Sequence, residues 1–239
     1  DVSRFPWLKD HTPEDIVRTA AEHESNMGIA FTYNEPTISF EYMLEVARLA
    51  KDKGLKTAMI SNGFINADPL LELIPVLDAF NIDLKAFREE FYEIHTGAKL
   101  TPVLETLKIL CEAGKHIEIT NLVIPGLNDD PGVFSEMIDW IASSLGAFTV
   151  LHLSRYFPHH ELSVDPTPLE TLKDFHTIAK KQLHYVYLGN VASKKGQQTR
   201  CPACGALLID RTGYHTELIS ITPDAKCRKC GSHIKNLVL

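Results

Sequence analysis

Four cysteines near the end of the 239-residue chain offer the most specific chemistry in the sequence. Cys201-Pro202-Ala203-Cys204 and Cys227-Arg228-Lys229-Cys230 are two Cys-x-x-Cys pairs separated by 22 residues, with Gly205 and Gly231 just after each pair. A Cys-x-x-Cys turn aims two thiolates at one point. Two such turns complete a closed tetrahedral site suited to structural zinc, iron being the other metal that four thiolates take. A second set of groups is charged. Asp83 and Lys85 stand two apart, which on a strand puts them on one face, while Ile82 and Leu84 take the other. An opposite-charge pair turned inward either satisfies itself as an ion pair or meets a ligand. Glu35 precedes Pro36, which favours an extended backbone, and its carboxylate can accept bonds from an ammonium group or cap a helix start. His116, Glu118 and Thr120 share a face in the same way, as do His152, Ser154 and Tyr156, and they predict a polar interior. Cys111, beside Leu110 in a helical pattern, reads as a small buried residue. His159 and His160 read as surface histidines and receive no catalytic role.

The elements that must position these groups alternate along the chain. Short β-branched runs predict strands over 29–33, 57–61, 79–85, 116–124, 150–156 and 185–188. Apolar periodicity predicts helices over 39–53, 69–77, 102–113, 131–145 and 168–182. Thr12-Pro13, Thr101-Pro102 and Thr167-Pro168 each place a capping hydroxyl before a first-turn proline. Strands alternating with helices of this length imply parallel strands joined by right-handed crossovers. The polar groups then fall at the C-terminal ends of successive strands: Tyr33-Asn34-Glu35-Pro36, Ser61-Asn62-Gly63, Asp83-Leu84-Lys85 and Ile124-Pro125-Gly126. Contributions from successive strand ends favour a barrel over a doubly wound sheet.

Composition narrows the function classes. With 44% apolar and 23% charged residues the chain has the makeup of a soluble globular protein, and it has no apolar run of the roughly 18 residues that a membrane helix needs. The first seven residues lack a basic stretch followed by an apolar one, so a cytoplasmic location is expected. A net charge of −7 argues against a nucleic-acid-coating protein, but the charge is uneven. Residues from Lys194 onward carry +5 and the remainder −12. This shift predicts two units, residues 1–193 as the α/β part and 194–239 as a four-cysteine zinc ribbon, whose basic balance would offset the negative charge of a zinc tetrathiolate.

Four motifs, in this order and spacing, resemble radical S-adenosylmethionine (SAM) enzymes of the pyruvate formate-lyase activating type. They are Tyr33-Asn34-Glu35-Pro36, Ser61-Asn62-Gly63, Asn81-Ile82-Asp83-Leu84-Lys85 and Val123-Ile124-Pro125-Gly126-Leu127-Asn128-Asp129. Leu188-Gly189-Asn190-Val191 followed by Cys-Pro-x-Cys and a second cysteine pair is similar to the subgroup called AmmeMemoRadiSam system radical SAM enzymes. The resemblance covers almost the whole chain. It implies an α/β fold, a partial six-unit (β/α) barrel. It places Asn34 and Glu35 near the methionyl ammonium of SAM, Asp83 and Lys85 near its carboxylate and ribose, and Asn62 in the same pocket. It also implies a [4Fe-4S] cluster, an electron donor, and hydrogen abstraction from a substrate that can be a protein, as in glycyl-radical activation.

The sequence departs from this family in one respect. The family holds its cluster with Cys-x-x-x-Cys-x-x-Cys after the first strand, whereas no cysteine here precedes Cys111, and Asp1-Val2-Ser3-Arg4 resembles the family sequence just after the third cluster cysteine. The expectation is a barrel without its first strand, inactive in SAM cleavage as it stands. The alternative is a non-catalytic scaffold whose zinc ribbon docks a protein or RNA partner. An absent first strand would leave Ile29 to Tyr33 as an open edge, covered either by the arm Phe5-Pro6-Trp7-Leu8 or by a second copy in a dimer.

Overall fold

The computed structural model describes residues 10–192, 196–213 and 215–236. The first helix, α1 (Pro13–Glu22), starts as its sequence dictates. The Thr12 hydroxyl accepts from the Asp15 amide while the Asp15 carboxylate accepts from the Thr12 amide, and Pro13 occupies the first turn. Six strands follow: β1 (Gly28–Phe31), β2 (Lys56–Ser61), β3 (Ala79–Asp83), β4 (His116–Val123), β5 (Val150–Arg155) and β6 (Tyr185–Gly189). They form one parallel sheet in the order β1-β2-β3-β4-β5-β6. The outer strands β1 and β6 do not pair with each other, so this is a partial barrel, as expected. The connecting helices are α2 (Phe40–Asp52), α3 (Ala67–Leu73), α4 (Glu89–His95), α5 (Leu100–Glu112), α6 (Pro131–Ser144) and α7 (Leu169–Ala179).

Strand alternation decides which side chains face the helices. In β4, Ile117, Ile119, Asn121 and Val123 are buried, and the intervening His116, Glu118 and Thr120 are half-buried on the other face. Ile82, Ile119, Leu151 and Leu153 pack into one core with Leu107 of α5, Ile138 of α6, and Leu172 and Phe175 of α7. Full burial of each such side chain is worth about 1.5–3 kcal/mol, which locks the register and turns the polar residues inward.

Two of the three expected threonine caps are corrected. Helix α5 begins at Leu100, so Thr101 lies inside its first turn, and the Leu100 amide is met instead by the Glu89 carboxylate at 3.2 Å. Helix α7 begins at Leu169, and Thr167 is fully buried; its hydroxyl donates to the Val123 carbonyl at 2.6 Å and accepts from the Tyr156 amide at 2.9 Å. That hydroxyl ties the ends of β4 and β5 together, a tertiary use that outranks capping. Helix α4, with Phe91 and Tyr92 buried, is an addition that the apolar pattern did not mark.

A second, antiparallel sheet of β7 (Thr199–Arg200), β8 (Leu207–Thr212) and β9 (His215–Leu218) forms the ribbon. Its Leu208, Ile209, Ile221 and Ile234 share a small core with Val150 and Tyr185, the first residues of β5 and β6. Val150 and Tyr185 alternate with the helix-facing Leu151 and Val186, so the ribbon rests on the inner face of the large sheet. Strand β1 pairs only with β2 among the described residues. The arm Phe5-Pro6-Trp7-Leu8 and the expected boundary at residues 193 and 194 lie outside the described residues. No helix among those residues is long and apolar enough to cross a membrane.

Candidate functional site

The mouth of the sheet gathers the expected residues from neighbouring strands. Glu35 follows β1 with an extended backbone and caps the 3₁₀ turn Pro36–Ser39, so its capping role is real. The same carboxylate reaches β2. One oxygen accepts from the Thr37 amide at 3.2 Å, the Thr37 hydroxyl at 2.9 Å and the Ser61 hydroxyl at 2.8 Å, and the other accepts from the Asn62 amide at 2.8 Å. Four donors thus fix a half-buried carboxylate in one orientation and leave lone pairs on its second oxygen. Ser61 is buried, and its hydroxyl also accepts from the Gly63 amide at 3.0 Å. The Asn62 side chain turns back to accept from the Phe64 amide at 2.8 Å, so Asn62 supports the mouth through its backbone. Asn34 stands exposed beside Glu35.

The next strand supplies the charged pair. Lys85 Nζ lies 2.8 Å from Asp83 Oδ2, and both side chains are about one-third exposed (37% and 32%), open to a ligand on the inner face. Three residues that the sequence reading missed hold this segment. The Lys85 amide donates to the Tyr92 hydroxyl at 3.1 Å, and the Lys85 carbonyl accepts from Asn128 Nδ2 at 2.6 Å and Asn121 Nδ2 at 3.1 Å. Asn128 also closes its own loop, donating to the Leu122 carbonyl and accepting from the Ile124 amide. An Asn-Asp pair after Pro-Gly is a turn signal, and it could have pointed to Asn128. Burial of the Tyr92 phenol pushes its pKa up to about 12, against the opposing effect of the Lys85 and Ala86 amides.

The four ribbon cysteines converge as their spacing predicts. All four sulfurs lie within 4.8 Å of one another, with Cys201 to Cys230 at 3.7 Å and Cys204 to Cys227 at 3.8 Å. A tetrahedron with metal–sulfur bonds of about 2.3 Å has edges of about 3.8 Å, so the donor set fits one metal ion. Gly205 and Gly231, at φ of +71° and +74°, allow each knuckle to turn, and their amides donate to the Cys201 and Cys227 carbonyls. The Cys230 thiol also reaches the Ser232 hydroxyl at 3.3 Å.

Comparison with known proteins decides the family. Residues 2–138 match the Radical SAM superfamily. The chain belongs to it. An uncharacterized protein of Methanocaldococcus jannaschii is 40% identical over 98% of this chain and 71% of its own length. Pyruvate formate-lyase 1-activating enzyme of Escherichia coli is 28% identical over 64% of each protein, and this chain therefore spans less than two thirds of that enzyme. Among solved structures, a domain of pyruvate-formate lyase-activating enzyme from Bacteroides vulgatus superposes with a TM-score of 0.60 at 18% identity, covering 68% of this chain and 99% of that one. Membership of the radical SAM superfamily is thereby established, and its partial barrel with it. The cysteines present do not fit the family's cluster. Four are committed to the ribbon, and Cys111 sits half-buried on α5 with its thiol 3.6 Å from the Leu145 carbonyl.

Proposed function

We propose that the strand mouths bind SAM, with Glu35 and Asn34 at its methionyl ammonium, Asp83 and Lys85 at its carboxylate and ribose, and Asn62 on the same pocket. The observation that carries this reading is the Glu35 carboxylate, fixed by four donors with free lone pairs, at the same end of the sheet as the part-exposed Asp83–Lys85 pair two strands over. Glu35 accepts the ammonium protons, Lys85 offers a cation to the carboxylate, and Asp83 accepts from a ribose hydroxyl. Asn121, Asn128 and Tyr92 keep the Asp83–Lys85 segment from moving when the ligand binds. SAM held here would, with a [4Fe-4S] cluster and an electron donor, supply 5′-deoxyadenosyl radical chemistry, hydrogen abstraction from a substrate. Glycyl-radical activation is the use suggested by the relatives' names. No residue of this chain fits the cluster, so the 239 residues alone bind SAM weakly and do not cleave it. In the ribbon, Cys201, Cys204, Cys227 and Cys230 hold zinc in a structural site, and residues 1–193 and 194–239 act as barrel and ribbon units.

Calorimetric titration of SAM into this chain, and into a version preceded by Cys-x-x-x-Cys-x-x-Cys with reconstituted iron and dithionite, tests the reading. The extended protein should bind at least about tenfold tighter and form 5′-deoxyadenosine, and Glu35→Ala should undo the binding. 5′-Deoxyadenosine from the 239-residue chain would overturn the inactivity, and unchanged binding in Glu35→Ala would overturn the pocket.

A further inference from the structure

The inner face carries a second polar group that the SAM pocket does not use. Strand register aligns Asp83, Thr120, His152 and Tyr187 in one row across β3 to β6. With strands about 4.8 Å apart, His152 lies roughly 10 Å across the sheet from Asp83. One residue pair lower on the same face, Glu118 accepts from His152 at 2.6 Å and from His116 at 3.2 Å. Here the ribbon closes over the sheet. The Tyr187 hydroxyl meets Thr199 Oγ1 at 2.8 Å, and Arg211 Nη1 donates to the same Thr199 oxygen at 2.8 Å, with its guanidinium 5.4 Å from the Tyr187 ring centre. Between sheet and ribbon lies a cavity of ≈ 390 Å³, lined by Glu118, His152, Tyr185, Tyr187, Thr199 and Arg211 among others. At about 30 Å³ per water this is room for on the order of ten waters, within the range of small-molecule sites.

A purely structural polar cluster would satisfy its own members. Glu118 and the two histidines do so, but the cation in this wall meets no anion. Arg211 is half-buried; its Nη1 donates to Thr199 Oγ1 and to the Gln197 carbonyl at 3.2 Å, and no carboxylate pairs with it among the described residues. A guanidinium fork matches a planar carboxylate.

We propose that this cavity is a binding site for a small organic acid, its carboxylate on Arg211, its far end hydrogen-bonded to the His152–Glu118 pair. Resting on the radical SAM reading, the proposal names the substrate class: a small carboxylate lying beside the SAM pocket, with the ribbon supplying part of its site. The carboxylate sits opposite the acidic group, which orients the molecule with its middle facing the row that begins at Asp83.

The test needs neither cluster nor cleavage, so its outcome is independent of SAM binding at Glu35. Acetate, glutarate, L-malate, L-glutamate and inorganic phosphate are titrated separately into the full chain and followed by amide chemical shifts. At least one of the longer carboxylates should bind saturably with shifts at Thr199 and Tyr187. Arg211→Gln should weaken it at least about tenfold, and Arg18→Gln, on the exposed face of α1, not at all. No saturable binding of any carboxylate up to about 10 mM, undiminished binding in Arg211→Gln, or saturable binding of phosphate alone would overturn the proposal.

Discussion

Replacing Glu35 by Gln tests the geometry on which the SAM pocket depends. The native carboxylate accepts four hydrogen bonds, three on one oxygen and one on the other. A glutamine can keep its oxygen toward Thr37 and Ser61 only by turning its amide nitrogen toward the Asn62 N–H, where donor faces donor. The Asn62 amide then loses its partner at about 1–3 kcal/mol, and the three remaining bonds each fall from charge-assisted to neutral strength, about 1 kcal/mol apiece before discounting for partial exposure. The sum predicts a destabilisation of about 2–4 kcal/mol, a large share of a domain's stability. Urea unfolding followed by circular dichroism should show a lower midpoint with an unchanged slope. Calorimetry should in parallel show SAM binding to the cluster-bearing protein weakened at least about tenfold, because the ammonium loses its anionic partner. A Glu35→Gln protein within about 0.5 kcal/mol of the parent would refute the claim that the four donors hold a preorganised acceptor.

Gly63→Ala should cost about 2–4 kcal/mol in the same unfolding assay, because φ is +73° and an added Cβ would lie 2.6 Å from Ile82 Cγ2 and 3.2 Å from Val103 Cγ1. A neutral result would mean the Ser61-Asn62-Gly63 turn can relax. Burial acts to raise the Glu118 pKa, but the hydrogen bonds from His116 and His152 outweigh it and leave the carboxyl well below its ordinary value. Its stabilisation is therefore complete above the ordinary glutamate range and is lost as pH falls through the folded-state value. Glu118→Gln should flatten the acid limb of the stability profile, and an unchanged limb would contradict the assignment. Metal analysis should return one zinc per chain, and strong chelator should unfold the ribbon, since structural zinc is worth on the order of 10–16 kcal/mol in zinc-finger peptides. Iron at the four sulfurs, or a folded ribbon in chelator, would refute zinc as its structural ion.

The strand mouths were readable because their signals are local. A period of two sends Asp83 and Lys85 inward, Glu-Pro keeps Glu35 extended, and two Cys-x-x-Cys turns need only proximity to form a tetrahedron. Signals that depend on what a segment meets later were unreadable. Thr12-Pro13 and Thr167-Pro168 look alike in sequence, yet the first caps a helix and the second buries its hydroxyl between β4 and β5. Lys85 showed its charge, but its backbone partners Tyr92, Asn121 and Asn128 are 7, 36 and 43 residues away. Helix α4 escaped because seven residues are too few to establish a helical period.

The ribbon shows why the chain's two compositions belong to one mechanism. An open parallel sheet with polar side chains on its inner face has Glu118, His152 and Tyr187 turned toward solvent unless something covers them. Val150 and Tyr185 give the cover an apolar foothold, and Leu208, Ile209, Ile221 and Ile234 meet it. So few apolar residues make a weak core, and a metal at the four cysteines would supply the cross-link that holds the ribbon's strands together. Once held, β7 and β8 carry Thr199 and Arg211 to the Tyr187 hydroxyl and ring. The four cysteines, which converge within the ribbon, thus help to shape the space between ribbon and sheet. A metal at the four sulfurs would act on that space only through the ribbon's fold, since none of the four cysteines lines the cavity.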